Sequence, residues 1–215
     1  MGGREIDGEK PCIYFGFKEG ITREYWKKVF DEQDIPKMLD CLHEIEVAPG
    51  ETWLIEGGVP HAIGAGCFLM EIQEPTDFTI RTERSTPSGF QIADSMCHQG
   101  IDFDNMFECF LYDGRSEEEI RQAYCVAQKG NVLVGYDRTG CFQLEHLEVT
   151  SVTKVSPEEV FSGIYILEGS GTLECDGEVW EIQKGDQFFI PAGTGYILKS
   201  VEILQAARYF GPAVK

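Results

Sequence analysis

The chain has 215 residues, enough for one large or two small domains, because a domain of ~100 to 150 residues already buries a workable core. Its 18 basic and 37 acidic residues give a formal net charge of −19, which repels phosphate backbones and anionic headgroups and so argues against nucleic acid and membrane surfaces as partners. Eight cysteines without a C-x-x-C pair, a polar N-terminus and the lack of a ~20-residue apolar run predict reduced thiols in a cytoplasmic chain with no membrane span.

The first third of the chain changes from strand to helix. Residues 12–17 (CIYFGF) are β-branched and aromatic, which predicts a buried strand. Thr22 can then cap a helix whose apolar residues share one face, and a second short helix after Pro36 extends to Leu42. We expect both helices to lie on a barrel.

The middle of the chain is predicted to hold short strands and then a connector. Residues 44–82 alternate strand-like runs with turns, the pattern of a barrel or sandwich. Residues 84–106 are polar and bear Gly and Ser, which predicts a loop. Ser116 and Glu119 form a capping box at the start of a helix that runs to about Ala127.

The last third, 132–212, is predicted to be β throughout. Its clearest local signal is Asp176-Gly177 between two strand-like runs, which is typical of a two-residue hairpin turn. With no low-complexity segment between the halves, we expect them to pack together.

One phrase occurs twice, as PGETWLIEGGVPHAI (49–63) and KGDQFFIPAGTGYIL (184–198). Aligned on Gly50 and Gly185, each copy has a Gly, an acid, an apolar run and a Gly-containing turn. Eleven positions after the first Gly stands His61 in one copy and Tyr196 in the other. A repeat of this kind implies one architecture used twice.

The repeated phrase resembles the second conserved motif of cupins, G-x5-P-x-G-x2-H, in which the His points into a barrel as a metal ligand. The first copy keeps His61 but has Glu56 in place of Pro, whereas the second keeps Pro191 but has Tyr196 in place of His. The resemblance implies a mainly β fold: a double cupin of two β-barrel or jelly-roll segments with a small helical insertion. The second cupin would be metal-free.

Residues 57–81 (GGVPHAIGAGCFLMEIQEPTDFTIR) are similar to the active-site stretch of type I mannose-6-phosphate isomerases. The residues that carry the similarity, in the order of the family, are His61, Ala62, Gly66, Glu71, Thr76, Asp77 and Arg81. The similarity extends more weakly over nearly the whole chain. It implies the domain bounds 1–83 for an incomplete first cupin with a helical insertion (22–43), 84–130 for a loop and helical connector, and 131–215 for the second cupin.

The resemblance further implies aldose–ketose isomerisation of a hexose 6-phosphate, assisted by one zinc ion (Zn²⁺) acting as a Lewis acid. His61 would be a metal ligand, Glu71 would line the pocket and Arg81 would stabilise negative charge. The simpler interpretations are an exposed strand carboxylate for Glu71 and an ordinary ion pair for Arg81. The acidic neighbours available for that pair are Glu74, Asp77 and Glu83.

The family takes its other metal ligands from sequence upstream of the strand that CIYFGF resembles, and the eleven residues before it here hold neither His nor Gln. We expect His43, His98 and His146 to be structural or surface residues. The resemblance thus implies the C-terminal two-thirds of an isomerase, with an incomplete zinc site and no activity alone. The alternatives are a non-catalytic cupin that binds a sugar or regulates, and a purely structural domain. An open sheet edge in the first cupin would favour a homodimer.

Overall fold

A computed structural model describes residues 2–74, 76, 78–128 and 130–213. The chain forms two compact units, 1–70 with 75–126 and 71–74 with 127–215. Strands outnumber helices in the described ranges, so the predicted mainly β fold with a small helical part is confirmed. No helix in those ranges has both the length and the apolar composition needed to cross a bilayer.

The first unit combines short strands with five helices in its described part. Its elements are β1 (Gly2–Gly3), β2 (Cys12–Phe17), α1 (Arg23–Glu32), α2 (Ile35–Asp40), β3 (Leu42–Glu46), β4 (His61–Ile63), β5 (Cys67–Phe68), α3 (Asp94–His98), α4 (Phe103–Glu108) and α5 (Glu117–Tyr124). The strands form a three-stranded sheet in the order β3-β2-β4 and a two-stranded pair β1-β5, all antiparallel.

Two apolar clusters share strand β2. The α5 cluster consists of Ile13, Phe15, Ile45, Val47, Val59, Ile120 and Tyr124. The α1 cluster consists of Phe17, Trp26, Val29, Phe30, Met38, Cys41, Leu42, Met106 and Phe107. The predicted packing of the two early helices against the sheet is therefore present in the α1 cluster.

A bulge at Gly16 lets one strand supply both clusters. The register of β2 with β3 shifts between Phe15 and Phe17. Gly16 has a φ of +68°, a left-handed backbone conformation that residues with a side chain rarely adopt. A Cβ at Gly16 would also lie 2.5 Å from Ile120 Cδ1. Phe15 consequently packs in the α5 cluster and Phe17 in the α1 cluster, although they are two residues apart.

The predicted starts of two helices, at Thr22 and Ser116, are confirmed. The Thr22 side chain accepts from the backbone N–H of Tyr25 at the start of α1. Ser116 and Glu119 form the reciprocal capping box of α5. Helix α2 begins one residue before Pro36, and Leu42 lies in β3, so the predicted placement of Leu42 on a helix was wrong.

Further secondary-structure predictions for this part of the chain were wrong. Residues 84–106 include α3 and the start of α4, because Met106 and Phe107 of α4 are fully buried and hold the segment in place. The strand-like run around Trp53 forms only an isolated bridge to Cys125. Residues 78–82, predicted as a strand, are irregular. Of the predicted strand 67–73 only β5 forms. Neither run has a longer strand to pair with.

The second unit is β throughout its described residues, as predicted. Its strands are β6 (Val132–Val134), β7 (Gln143–Val149), β8 (Val152–Val155), β9 (Ser162–Glu168), β10 (Ser170–Cys175), β11 (Glu178–Gln183), β12 (Gln187–Ile190), β13 (Tyr196–Lys199) and β14 (Leu204–Phe210). They form antiparallel sheets in the orders β12-β9-β14-β7-β6 and β11-β10-β13-β8.

The core of the second unit draws on both of its sheets. Leu147, Ile164 and Ala206 from the five-stranded sheet pack with Leu173 and Leu198 from the four-stranded sheet. The hairpin prediction is confirmed at β10-β11, where Asp176 and Gly177 have φ of +50° and +82°, as the mirror-image hairpin turn requires. This is the enclosed arrangement expected of a jelly roll.

Candidate functional site

The repeated phrase folds into the same turns twice. Gly50 and Gly185 have φ of +89° and +96°, and Gly58 and its counterpart Gly193 have +86° and +77°. The turn before the last strand is closed in both copies by a backbone bond between equivalent residues, Val59 N to Glu56 O and Thr194 N to Pro191 O, each 3.3 Å. His61 and Tyr196 are thus equivalent, each the first residue of its strand.

His61 stands on an edge strand with one ring nitrogen fixed. It is opposite Phe15 across β2-β4, and its side chain is exposed. Its Nδ1 donates to the carbonyl oxygen of Val59 at 3.0 Å, which sets the tautomer and leaves the Nε2 lone pair available. A backbone carbonyl on one imidazole nitrogen is how metal-ligating histidines are commonly oriented.

Behind His61 lies an aromatic wall that the sequence did not reveal. The Phe15 ring is 6.4 Å from the imidazole, 5.7 Å from Trp53 and 5.1 Å from Tyr124. Burial raises the pKa of the Tyr124 phenol, which keeps it a neutral donor. The Arg115 guanidinium lies 5.5 Å from the centre of the Tyr124 ring.

Arg121 lies 5.7 Å from the centre of the Trp53 ring, and Arg115 is the basic side chain that contacts the Tyr124 end of this aromatic wall. It is held by an ion pair from Nε to Asp113 at 2.7 Å, and its backbone carbonyl accepts from His43 Nε2 at 2.7 Å. In sequence Arg115 immediately precedes the Ser116 capping box. The capping box predicts where helix α5 begins, but it does not predict which distant strand packs beside that helix.

Arg81 is placed elsewhere in the first unit. Its guanidinium donates to the backbone carbonyls of Thr79 and Met96, each at 3.2 Å, and its backbone N–H donates to Cys97 O at 3.0 Å. Within the described ranges it forms no ion pair, Glu74 and Glu83 included, and no contact joins it to His61. Asp77, the third acidic neighbour considered for that pair, lies outside the described residues.

Glu71 is exposed in an irregular stretch, and 71–74 groups with the second unit. The described contacts bring neither Glu71 nor Arg81 to His61. The roles predicted for both residues therefore stay predictions.

The other three histidines each have a hydrogen bond, as expected of structural residues. His43 donates to the backbone of Arg115. His98 Nδ1 accepts from the Gly100 N–H at 3.1 Å, with its ring edge-on to Phe103. His146 Nε2 hydrogen-bonds to the side chain of Gln205.

The second unit carries a buried polar group at the position equivalent to His61. Tyr196 is 3 % exposed, and burial raises the pKa of its phenol to about 12. Arg208, Glu145 and Glu158 all act on that phenol electrostatically. The sequence indicated Tyr196 through the repeat but gave no sign of the charged residues around it.

Comparison with known proteins decides the family resemblance. Residues 136–199 match the domain described as "Mannose-6-phosphate isomerase, cupin domain". The chain is 22 % identical over 199 residues to "Putative mannose-6-phosphate isomerase YvyI" of Bacillus subtilis (strain 168), a match that covers 86 % of the chain. The resemblance to the mannose-6-phosphate isomerases is confirmed.

Solved structures of mannose-6-phosphate isomerases show the same fold. The enzyme of Bacillus subtilis aligns with a TM-score of 0.69 at 16 % identity over 96 % of this chain and 62 % of its own. "A putative mannosephosphate isomerase from Archaeoglobus fulgidus" aligns with a TM-score of 0.68 at 19 % identity over 95 % and 59 %. This chain spans 59 % of the length of the curated relative.

Mannose-6-phosphate isomerases are generally metal-dependent, so the donor set can be tested against zinc. Catalytic zinc takes about three protein ligands. Within the part of the chain that the structure describes, no three His, Cys, Asp or Glu side chains lie together in a way that could hold a metal ion. His61 has the orientation of a ligand, but the surrounding residues do not complete a zinc site.

Proposed function

We propose that this chain belongs to the machinery of a sugar-phosphate isomerase that interconverts mannose 6-phosphate and fructose 6-phosphate. The observation that carries the proposal is His61, whose Nδ1 is fixed by Val59 O and whose exposed ring begins a cupin-type strand. The resemblance to mannose-6-phosphate isomerases supports the same reaction class.

The substrate is a hexose 6-phosphate, an anion that a chain of net charge −19 repels unless local cations reverse the field. Arg115, whose guanidinium lies 5.5 Å from the centre of the Tyr124 ring, is our candidate for that attraction. Glu71 and Arg81 keep the roles inferred from the family, lining the pocket and stabilising negative charge.

His61 supplies one ligand to zinc in this proposal, and the remaining ligands come from residues outside the described set. The chain alone is then inactive or nearly so. This part of the proposal is supported by the donor groups themselves, since one imidazole forms one bond and zinc wants about three.

A second candidate function is a non-catalytic cupin module that binds a sugar or regulates a partner. The same donor set favours it, because the described residues bring no three ligating side chains together. The two candidates share a sugar-phosphate site and differ in whether any bond of the sugar changes.

Metal content and turnover separate these candidates. The purified chain is analysed for zinc and assayed for mannose 6-phosphate conversion in a coupled assay, with and without added Zn²⁺. We expect little bound zinc, and slow conversion when zinc is supplied. H61N should abolish that conversion, whereas H98N, at a hydrogen-bonded His far along the chain, should keep it.

Three outcomes are informative. Stoichiometric zinc with full turnover would show that the site is complete and contradict the incomplete-site proposal. Conversion that survives H61N would remove His61 from the site. Binding of mannose 6-phosphate with no conversion at any zinc concentration would favour the non-catalytic module.

We propose the cytoplasm as the compartment, which suits eight cysteines that are all free thiols in this structure. A homodimer is proposed because β3 and β4 are the outer strands of the three-stranded sheet, and such edges invite pairing. Sedimentation velocity tests it directly, since a monomer at all concentrations would contradict it.

A further inference from the structure

The interior of the second unit's barrel ends in a charged group. Arg208 on β14 lies directly opposite Glu145 on β7, and both side chains are largely buried, with side-chain exposures of 7 % and 15 %. Arg208 shares the inward-facing row of β14 with Ala206, a member of the core. A buried charge needs both a partner and full hydrogen bonding.

Arg208 has two ion-pair partners. Nη1 lies 3.3 Å from Glu145 Oε2 and Nη2 lies 3.2 Å from Glu158 Oε1, and the guanidinium lies 4.4 Å from the centre of the Phe210 ring. Its Nε is buried and has no partner among the described residues. One N–H donor of this arginine is therefore buried without a described acceptor.

The Tyr196 hydroxyl is a second buried donor without a described partner. Its Oη is buried and forms no hydrogen bond to any described residue. The turn before Tyr196 contacts the segment of Glu158, because the Gly193 N–H donates to the Glu158 carbonyl oxygen at 2.8 Å. Two orphaned buried donors beside two carboxylates are unusual, because buried polar groups in native proteins are nearly always satisfied.

We propose that this end of the barrel binds a small uncharged polyol, whose oxygen accepts from Tyr196 Oη and Arg208 Nε and whose hydroxyl hydrogens are donated to the glutamates. An anion is disfavoured because two carboxylates face one guanidinium. A metal cation is disfavoured because the guanidinium already lies between the two carboxylates.

Access comes from the side of Glu158, whose side chain is 46 % exposed and lies in the segment between β8 and β9. The occupant must be small, since Tyr196 and Arg208 are 3 % and 6 % exposed. The site uses none of the residues of the isomerase proposal, so it stands or falls independently of that proposal.

The test is ligand binding followed by NMR on the full chain, with glycerol, erythritol and mannose as probes. Amide shifts on titration should fall on 143–147, 156–160, 194–198 and 206–210 in the wild type. Y196F removes one donor and keeps the ring, and it should weaken binding about tenfold, as the loss of one hydrogen bond does. Y209F is the matched control, because Tyr209 lies on the opposite face of β14, over Gly163.

The proposal is overturned by any of three results. The probes bind nowhere at ~100 mM, which corresponds to negligible affinity and leaves water as the occupant. The shifts fall outside the four segments. Or Y196F binds as tightly as the wild type and Y209F.

Discussion

The two copies of the repeated phrase build the same turn and then diverge. In the first, His61 is exposed on β4, an outer strand of a three-stranded sheet. In the second, Tyr196 is 3 % exposed on β13, which lies between β10 and β8. The matching glycine conformations show that the local sequence sets the turn, whereas the neighbouring strands set the burial of the residue that follows it.

Strand pairing explains why the first copy presents an exposed imidazole and the second a buried phenol. The strand-like run of the first copy forms an isolated bridge of Trp53 to Cys125, with two backbone bonds, Leu54 N to Tyr124 O and Val126 N to Thr52 O. The equivalent run of the second copy is β12, paired over four residues with β9. The repeated phrase therefore places His61 and Tyr196 at the same position after the turn. The chemistry open to each residue depends on the strands that pack around it.

The largest expected contrast is between alanine at the two equivalent positions. Y196A should cost about 3–5 kcal/mol of unfolding free energy, since it empties a buried aromatic site. H61A should cost about 0.5 kcal/mol or less, because an exposed ring leaves no cavity. Urea unfolding with hydrogen exchange by mass spectrometry assigns each loss to its unit. Similar costs at both positions would contradict the difference in burial.

The next effect concerns the ion pairs around Tyr196. R208M should cost about 3 kcal/mol, because Glu145 would remain buried without a cation. K199M is the control: Lys199 pairs with Glu174 at 2.5 Å but is 44 % exposed, so its loss should cost under about 1 kcal/mol. Equal losses in urea unfolding would show that the burial of Arg208 does not matter.

A smaller contrast tests the turns themselves. Gly58 and Gly193 both need a positive φ, so alanine at either should cost about 1 kcal/mol. A Cβ at Gly58 would also lie 2.8 Å from Cys109 O, whereas one at Gly193 meets nothing within 4 Å. G58A should therefore be about twice as costly as G193A in urea unfolding. The reverse order would mean that the two turns differ in the folded chain.

The smallest effect is a pH dependence that comes from Glu145, the buried carboxylate paired with Arg208. Burial raises the pKa of Glu145 above its ordinary 4.5, Arg208 opposes this and Glu158 adds to it. The folded state then holds the proton more tightly, so this stabilising contribution is present below pH 4.5 and lost as the pH rises through the folded pKa. Relative to E145Q, the wild type should lose stability over that rise. Parallel stability profiles of the two proteins would contradict a raised pKa.

The sequence predicted the features whose causes are local. Strand β2 was predicted to the residue, and the Thr22 cap, the Ser116 box and the Asp176-Gly177 hairpin are each fixed by a few neighbouring side chains. The position of His61 after its turn belongs to the same class.

Features that depend on distant packing escaped prediction. Helix α4 is short and polar in sequence but is held by the burial of Met106 and Phe107. The partners Arg208 and Glu145 stand 63 positions apart, and the wall of Phe15 and Tyr124 joins a strand to a helix far along the chain. No window of sequence contains both members of such pairs.

Strand β2 has a consequence for how the first unit comes apart. Phe15 and Phe17 are 0 % and 1 % exposed and lie in separate apolar clusters, with Gly16 between them in the chain. Pulling this strand out removes a central side chain from both clusters at once, so neither can melt while the other stays intact. We expect the first unit to open as one cooperative block, with amides beside α1 and α5 exchanging at the same rate.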